Sequence, residues 1–276
     1  MRDTSITSIP PEIHLALKLA HPSWQPILME GLLAMAALHP DYLPDLVLSD
    51  YLPTERRLFA AFALPLNAVT YVLVGEGPYP REGSATGVCF MDGAVGALWS
   101  EKGLSKPVNR ATSLRNFMKM LLVANGQLSL DSTTGDAMVQ AASWAQKSDS
   151  EIIQTLPDLQ NNLVEEGFLL LNATLVFRAS VPPVKEAKPW VPFLQAVLRG
   201  LAQRADGALP TLVLWGKIAE QLHALPVAAQ FPKIVAEHPY NLTFIGNGGM
   251  QALFGPMYLL RKRAWGTLDN VKDRLN

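Results

Sequence analysis

The stretch YVLVGEGPYP, residues 71–80, decides how the rest of the chain is read. Its first four residues are apolar on both alternating faces, the pattern of a strand covered by helices on its two sides. It runs straight into a glycine-rich turn punctuated by Pro78 and Pro80. A turn of that composition leaves backbone bare, and in an open parallel sheet ligands bind outside the carboxyl ends of the strands. The turn therefore poses a chemical question: an acid stands at Glu76, while Gly77 offers only a hydrogen.

Three further runs share the character of the first, which extends over VTYVLV (69–74): FLLLN (168–172), TLVLW (211–215) and KIVAEHP (233–239). Helix-like stretches surround them. WQPILMEGLLAMAALH (24–39) and ERRLFAAFALPL (55–66) precede the first strand, SLRNFMKMLLVANG (113–126) follows it, and WVPFLQAVLRGLAQRA (190–205) lies between the second and third. Strand alternating with helix predicts an α/β fold, a three-layer α/β/α sandwich around a central, mainly parallel four-stranded sheet. One domain over 1–276 is expected, with an N-terminal helical part (1–66), an α/β core (67–260) and a C-terminal tail (261–276). The stretch from Met91 to Thr112 and SVPPVKEAKP (180–189) read as loops, since glycine and proline punctuate both. A polar or glycine-rich signal ends every strand: the GEGPYP turn, Asn172, WGK (215–217) and His238.

With 276 residues, 49% hydrophobic and 17% charged, and a formal net charge of -1, the chain can bury a large core. That balance excludes a disordered chain and a strongly basic nucleic-acid binder, while a local basic rim remains compatible with a neutral total. Cys89 is the only cysteine, so no disulfide and no cysteine-ligated zinc or iron-sulfur centre can be built within the chain. No metal and no cofactor is expected, and a reducing, cytoplasmic setting follows. The opening MRDTSITSIPPEIHLALKLAHPSW lacks the run of about 18 apolar residues that a span requires, so neither signal nor membrane anchor is expected.

With those strand ends in order, the chain resembles the family-1 uracil-DNA glycosylases over nearly its whole length. In that family a strand leads into a loop of glycine, glutamine, aspartate, proline, tyrosine and histidine; here it leads into Gly75, Glu76, Gly77, Pro78, Tyr79 and Pro80. GVCF (87–90) is similar to the segment whose phenylalanine stacks on the base, and TSLRN (112–116) to the serine loop that pinches the DNA backbone. GFLLLNATLVFRA (167–179) resembles the strand ending in the asparagine that reads uracil, and KPWVPF (188–193) the opening of the next helix. LVLWG (212–216) and HPYNL (238–242) complete the order, the last resembling the loop with a catalytic histidine and a base-displacing leucine. An insertion between Phe90 and Ser113 interrupts the match.

The resemblance implies a partner, uracil-containing DNA, single- or double-stranded, and a monomeric protein of base-excision repair. A glycosylase reaches its bond by flipping the nucleotide into a pocket. Phe90 would stack on the flipped ring, and Asn172 would pair with N3–H and O4 of uracil and refuse cytosine. Tyr79 would crowd the place of a thymine methyl. His238 would donate to uracil O2 as negative charge develops, helped by amides of the turn that Gly75 and Gly77 keep open. Leu242 would wedge into the stack, and Ser113 and Thr243 would grip phosphates. Lys106, Arg110 and Arg115 form either a positive rim for DNA or a solvated face, and RKR (261–263) reads as a helix-end or surface cluster rather than a DNA contact.

The family aspartate that positions the attacking water falls at Gly77, and two family histidines fall at Pro80 and Pro183. A general base is worth about 10² to 10⁴ in rate. Glu76 is the candidate to take over the water, and GEGP resembles the loop of related glycosylase families that lack the aspartate and still cleave uracil. Two functions follow: a glycosylase of weak or altered activity, or a catalytically inactive protein of the same fold that binds a modified base in DNA. A protein-interaction scaffold is the third and weakest reading.

Overall fold

The computed structural model describes residues 9–263; the first eight residues, and with them part of the expected N-terminal region, and residues 264–276 of the expected tail lie outside the described residues. The strands are β1 (Tyr71–Gly75), the short pair β2 (Trp99–Ser100) and β3 (Gly103–Leu104), then β4 (Phe168–Asn172), β5 (Thr211–Trp215) and β6 (Lys233–Ala236). The four apolar runs build one wholly parallel sheet in the order β4-β1-β5-β6. Side chains alternate between its faces, as the strand period requires. Val72, Val74, Leu169, Leu171, Leu212 and Leu214 enter one core, whereas Leu73, Phe168, Leu170, Val213 and Trp215 enter the other.

The helices in chain order are α1 (Pro11–Ala16), α2 (Gln25–Leu38), α3 (Tyr42–Val47), α4 (Lys106–Arg110), α5 (Thr112–Ala124), α6 (Gly135–Ala145), α7 (Leu156–Glu165), α8 (Pro183–Ala202), α9 (Ile218–His223) and α10 (Gly248–Phe254). Helices α1, α2, α3, α8 and α9 cover the first face, and α5, α6, α7 and α10 the second. The result is the expected three-layer sandwich. Interlocked aromatic rings hold the first layer, among them Trp24 against Phe62 at 5.1 Å and Trp190 against Phe193 at 5.3 Å.

Several local expectations are corrected. Residues 55–66 do not form an α-helix: Glu55 and Arg56 adopt left-handed φ of 58° and 61°, and a 3-10 helix follows over Arg57–Ala63. The stretch 91–112 is not plain loop, because it folds into the β2–β3 hairpin and then α4, whose N-terminus Ser105 caps through its hydroxyl. Nor is 180–189 a loop throughout. Helix α8 begins at Pro183, where proline is well placed because the first-turn N–H has no helical partner anyway. Pro189 and Pro192 lie inside it, and burial of its apolar face outweighs their unfavourable propensity.

In the order β4-β1-β5-β6, the chain leaves β1 toward β4 on one side and returns to β5 on the other. This reversal opens a crevice at the carboxyl end of β1, and the 75–80 turn occupies it.

Candidate active site

Parallel register sets the first contact of the site. Gly75 pairs with Asn172 across β1 and β4, so the side chain ending β4 stands beside the start of the turn. A Cβ on Gly75 would lie 2.7 Å from Cys89 Sγ and 3.0 Å from Asn172 Oδ1. Close packing inside the protein therefore demands glycine there. Gly77 differs: a Cβ there would make ordinary contacts of 3.5 Å and 3.7 Å with Thr174, at a φ outside the left-handed region, so packing within the protein does not require glycine at this position.

Gly75, Glu76, Gly77, Tyr79, Phe90, Ser113, Asn172 and His238 line one cavity of about 240 Å³ at this crevice. Asn172 is only 4% exposed. Its amide forms no hydrogen bond with the described residues and is not sealed from the cavity, so its donors and acceptor remain for a ligand. Phe90 holds a left-handed φ of 67°, a conformation that costs a bulky residue about 1–3 kcal/mol. The surroundings hold it there: its ring meets Trp215 edge-on at 5.2 Å and Phe117 at 5.4 Å. One wall of the cavity is thus a braced aromatic ring. Tyr79 donates a long hydrogen bond, 3.4 Å, to the Phe90 carbonyl, and burial pushes its phenol pKa up so that it stays protonated.

His238 follows β6, and the loop it begins comes close to the end of β5. Gly216, at φ 65°, makes this possible: a Cβ there would lie 2.9 Å from His238 Cβ. His238 Nδ1 accepts the Tyr240 backbone N–H at 3.1 Å, which assigns the ring proton to Nε2 in the neutral form. Burial lowers the imidazole pKa below 6.5, and the opposing effect of the Glu76 carboxylate is smaller. A neutral donor at Nε2 is the outcome. Cys89, in the cavity wall, is no rival nucleophile, because burial pushes its thiol up to about 12.

Leu242 and Thr243 lie outside this cavity, on an exposed 3-10 turn over Leu242–Gly246, with Leu242 68% exposed. Fully buried Asn116 on α5 holds the approach to that turn, donating to the carbonyls of Pro239 at 2.7 Å, Tyr240 at 3.3 Å and Asn241 at 3.4 Å. Arg115 donates to Asn116 Oδ1 and to the Asn109 carbonyl, so it is tied to the scaffold as well as half-exposed. Ser113 sits in the first turn of α5 and reaches the cavity wall. Lys106 and Arg110 are exposed on α4. The RKR cluster is engaged within the chain: Arg261 covers the Tyr258 ring, Lys262 donates to the Ser150 carbonyl, and Arg263 pairs with Glu165 and Glu166.

Sequence reading marked the WGK end of β5 without giving Trp215 or Gly216 a role, and missed Asn116, Thr174 and Lys119 as contributors. Lys119, one turn beyond Arg115, is nearly buried without an acidic partner among the described residues; burial, then the Arg115 charge, push its pKa down. The WG dipeptide ending β5 was the one available signal for Trp215 and Gly216. Among the described residues no cluster of three or more His, Cys, Asp and Glu side chains is placed to hold a metal, and no helix is long and apolar enough to cross a membrane.

No protein-family model matches the sequence. The chain is 28% identical over 193 residues to a uracil-DNA glycosylase of Mycobacterium tuberculosis, spanning 70% of this chain and 68% of that protein. It is 29% identical over 192 residues to uracil-DNA glycosylase 2 of Streptomyces coelicolor, spanning 69% and 67%. Among solved structures, wild-type UNG from Nitratifractor salsuginis is 38% identical, with a TM-score of 0.82 over 93% of this chain and 100% of that one.

Proposed function

Because the chain belongs to the uracil-DNA glycosylase family, we propose that it flips uracil out of DNA and hydrolyses the bond between base and sugar. The observation that carries this reading is the convergence of the Asn172 amide, the braced Phe90 ring and the neutral His238 on one cavity at the sheet's switch point. Phe90 stacks on the base, Asn172 reads its N3–H and O4, and Tyr79 excludes a methyl group. As the bond breaks, negative charge grows on the uracil, and His238 Nε2–H donates to its O2, aided by amides of the turn opened at Gly75 and Gly77. Glu76 receives the proton of the water. Leu242 fills the vacated stack, while Ser113, Thr243 and Arg115 hold the phosphates of single- or double-stranded DNA.

The chain acts as one domain over 1–276 and as a monomer in the cytoplasm, without metal or cofactor. The test is a single-turnover assay with excess protein on a single-stranded oligonucleotide bearing one uracil, followed by alkaline cleavage. Release that disappears in Asn172→Ala and His238→Ala is the expected result.

The absent side chain at Gly77 favours a second reading, a binding protein that recognises the base without cutting. It predicts uracil-dependent binding, lost in Asn172→Ala, and no release by the native chain.

A further inference from the structure

The gap at Gly77 has a polar floor. Only Thr174 comes within 4 Å of the place its Cβ would take, through its carbonyl oxygen at 3.5 Å and its own Cβ at 3.7 Å. The Thr174 N–H donates to the Glu76 carbonyl at 3.1 Å, whereas no hydrogen bond among the described residues reaches the Thr174 carbonyl oxygen. Thr174 is 7% exposed, whereas Glu76 and Gly77 above it are exposed, so this free acceptor lies under a gap that water reaches.

That gap opens into a second chamber. Glu76, Gly77 and Pro78 wall both the base cavity and a cavity of about 360 Å³ behind the turn, which Thr174, Pro80 and Pro183 also line. The three positions where this chain departs from the family's polar residues, 77, 80 and 183, thus border one space. At about 30 Å³ per water, it has room for several.

We propose that this chamber is the nucleophile's approach, and that the gap at Gly77, floored by the carbonyl oxygen and Cβ of Thr174, is the seat of the attacking water. The inference rests on the glycosylase reading above. In the step, the bond between C1′ and N1 breaks and its electron pair stays on the uracil. The water oxygen forms the new bond to C1′ while one of its hydrogens points to the Thr174 carbonyl oxygen. Its other proton passes to the Glu76 carboxylate, which borders both chambers. A water oriented in this way needs no side chain at position 77, which is why a glycine there is compatible with turnover.

The test fills the seat without disturbing the fold. Gly77→Ala adds a methyl group at ordinary contact distance from Thr174. It is expected to lower the single-turnover rate on a uracil oligonucleotide at least about tenfold, the scale of one lost transition-state hydrogen bond. Affinity for an oligonucleotide carrying uncleavable 2′-fluoro-deoxyuridine should not change. Gly77→Asp, which fills the same gap but supplies a carboxylate for the water, should exceed the Gly77→Ala rate. A Gly77→Ala variant that cleaves at the native rate overturns the proposal, as does one whose loss is matched by weaker binding of the analogue. If the native chain releases no uracil while binding the analogue, the glycosylase reading itself falls, and the water's seat falls with it.

Discussion

Asn116 Nδ2 donates to the Pro239 carbonyl oxygen at 2.7 Å, a buried contact between residues 123 positions apart that ties helix α5 to the loop carrying His238 and Leu242. Both the catalytic and the wedge residue of the proposed function therefore depend on one buried amide. Asn116→Ala would leave the three carbonyls of 239–241 without this donor, at a cost of about 1–3 kcal/mol. The expected outcome is a lower melting temperature and a loss of uracil release that is larger on duplex than on single-stranded substrate, since only the duplex needs the wedge. Equal losses on both would separate Asn116 from base extrusion.

Gly216 has the second positioning role. Gly216→Ala would place a Cβ 2.9 Å from that of His238, at a φ of 65° that costs an L-residue about 1–2 kcal/mol. A folded variant with at least about tenfold slower release and nearly native affinity for the 2′-fluoro analogue is expected. Thermal unfolding and single-turnover kinetics check the two halves, and native kinetics would show that the His238 loop tolerates displacement.

The pH dependence follows from His238, whose pKa is lowered by burial against the smaller pull of Glu76. The neutral ring is the active donor, so the rate limb due to His238 should have its midpoint below pH 6.5, not at it. For stability the sign is the same. Between the depressed folded pKa and the unfolded value of about 6.5, the unfolded chain binds more protons, so stability falls as pH drops through that window. Titration of the His238 ring resonances by NMR, beside His238→Gln as assignment control, measures the shift; a midpoint at or above 6.5 contradicts it.

Away from the chemistry, buried Glu186 binds Arg178 through both oxygens, at 2.8 Å and 3.0 Å, and accepts the Tyr42 hydroxyl, which in turn accepts Trp190 Nε1–H at 2.7 Å. This network joins α3 and α8 to the segment following β4. Glu186→Ala would strand a largely buried guanidinium, a loss of about 3–5 kcal/mol, with Glu186→Gln losing less. Urea denaturation should place the three proteins in that order; a native midpoint for Glu186→Ala would mean that Arg178 finds solvent.

Much of this was legible in the sequence because it depends on local pattern. Apolar runs with a polar residue at each carboxyl end placed β1, β4, β5 and β6, and the parallel order of such strands brings those ends together whatever the loops do. Helix α7 also carried a readable signal, the capping box between Thr155 and Asp158, although its short apolar pattern attracted no assignment. Helix α8 could not be bounded in advance, because prolines that argue against a helix were outweighed by burial against α2 and the sheet.

What the sequence determined by itself was the sheet, the cavity's main side chains and the missing acid at Gly77, since each is a matter of which residue stands at the end of which strand. Only the tertiary structure decided how they work. The left-handed Phe90, the proton on His238 Nε2, the clamp by Asn116 and the open floor of Thr174 all arise from groups far apart along the chain meeting at short distance. Hydrogen bonds and close contacts act over a few ångströms of space, and one-dimensional spacing does not encode them.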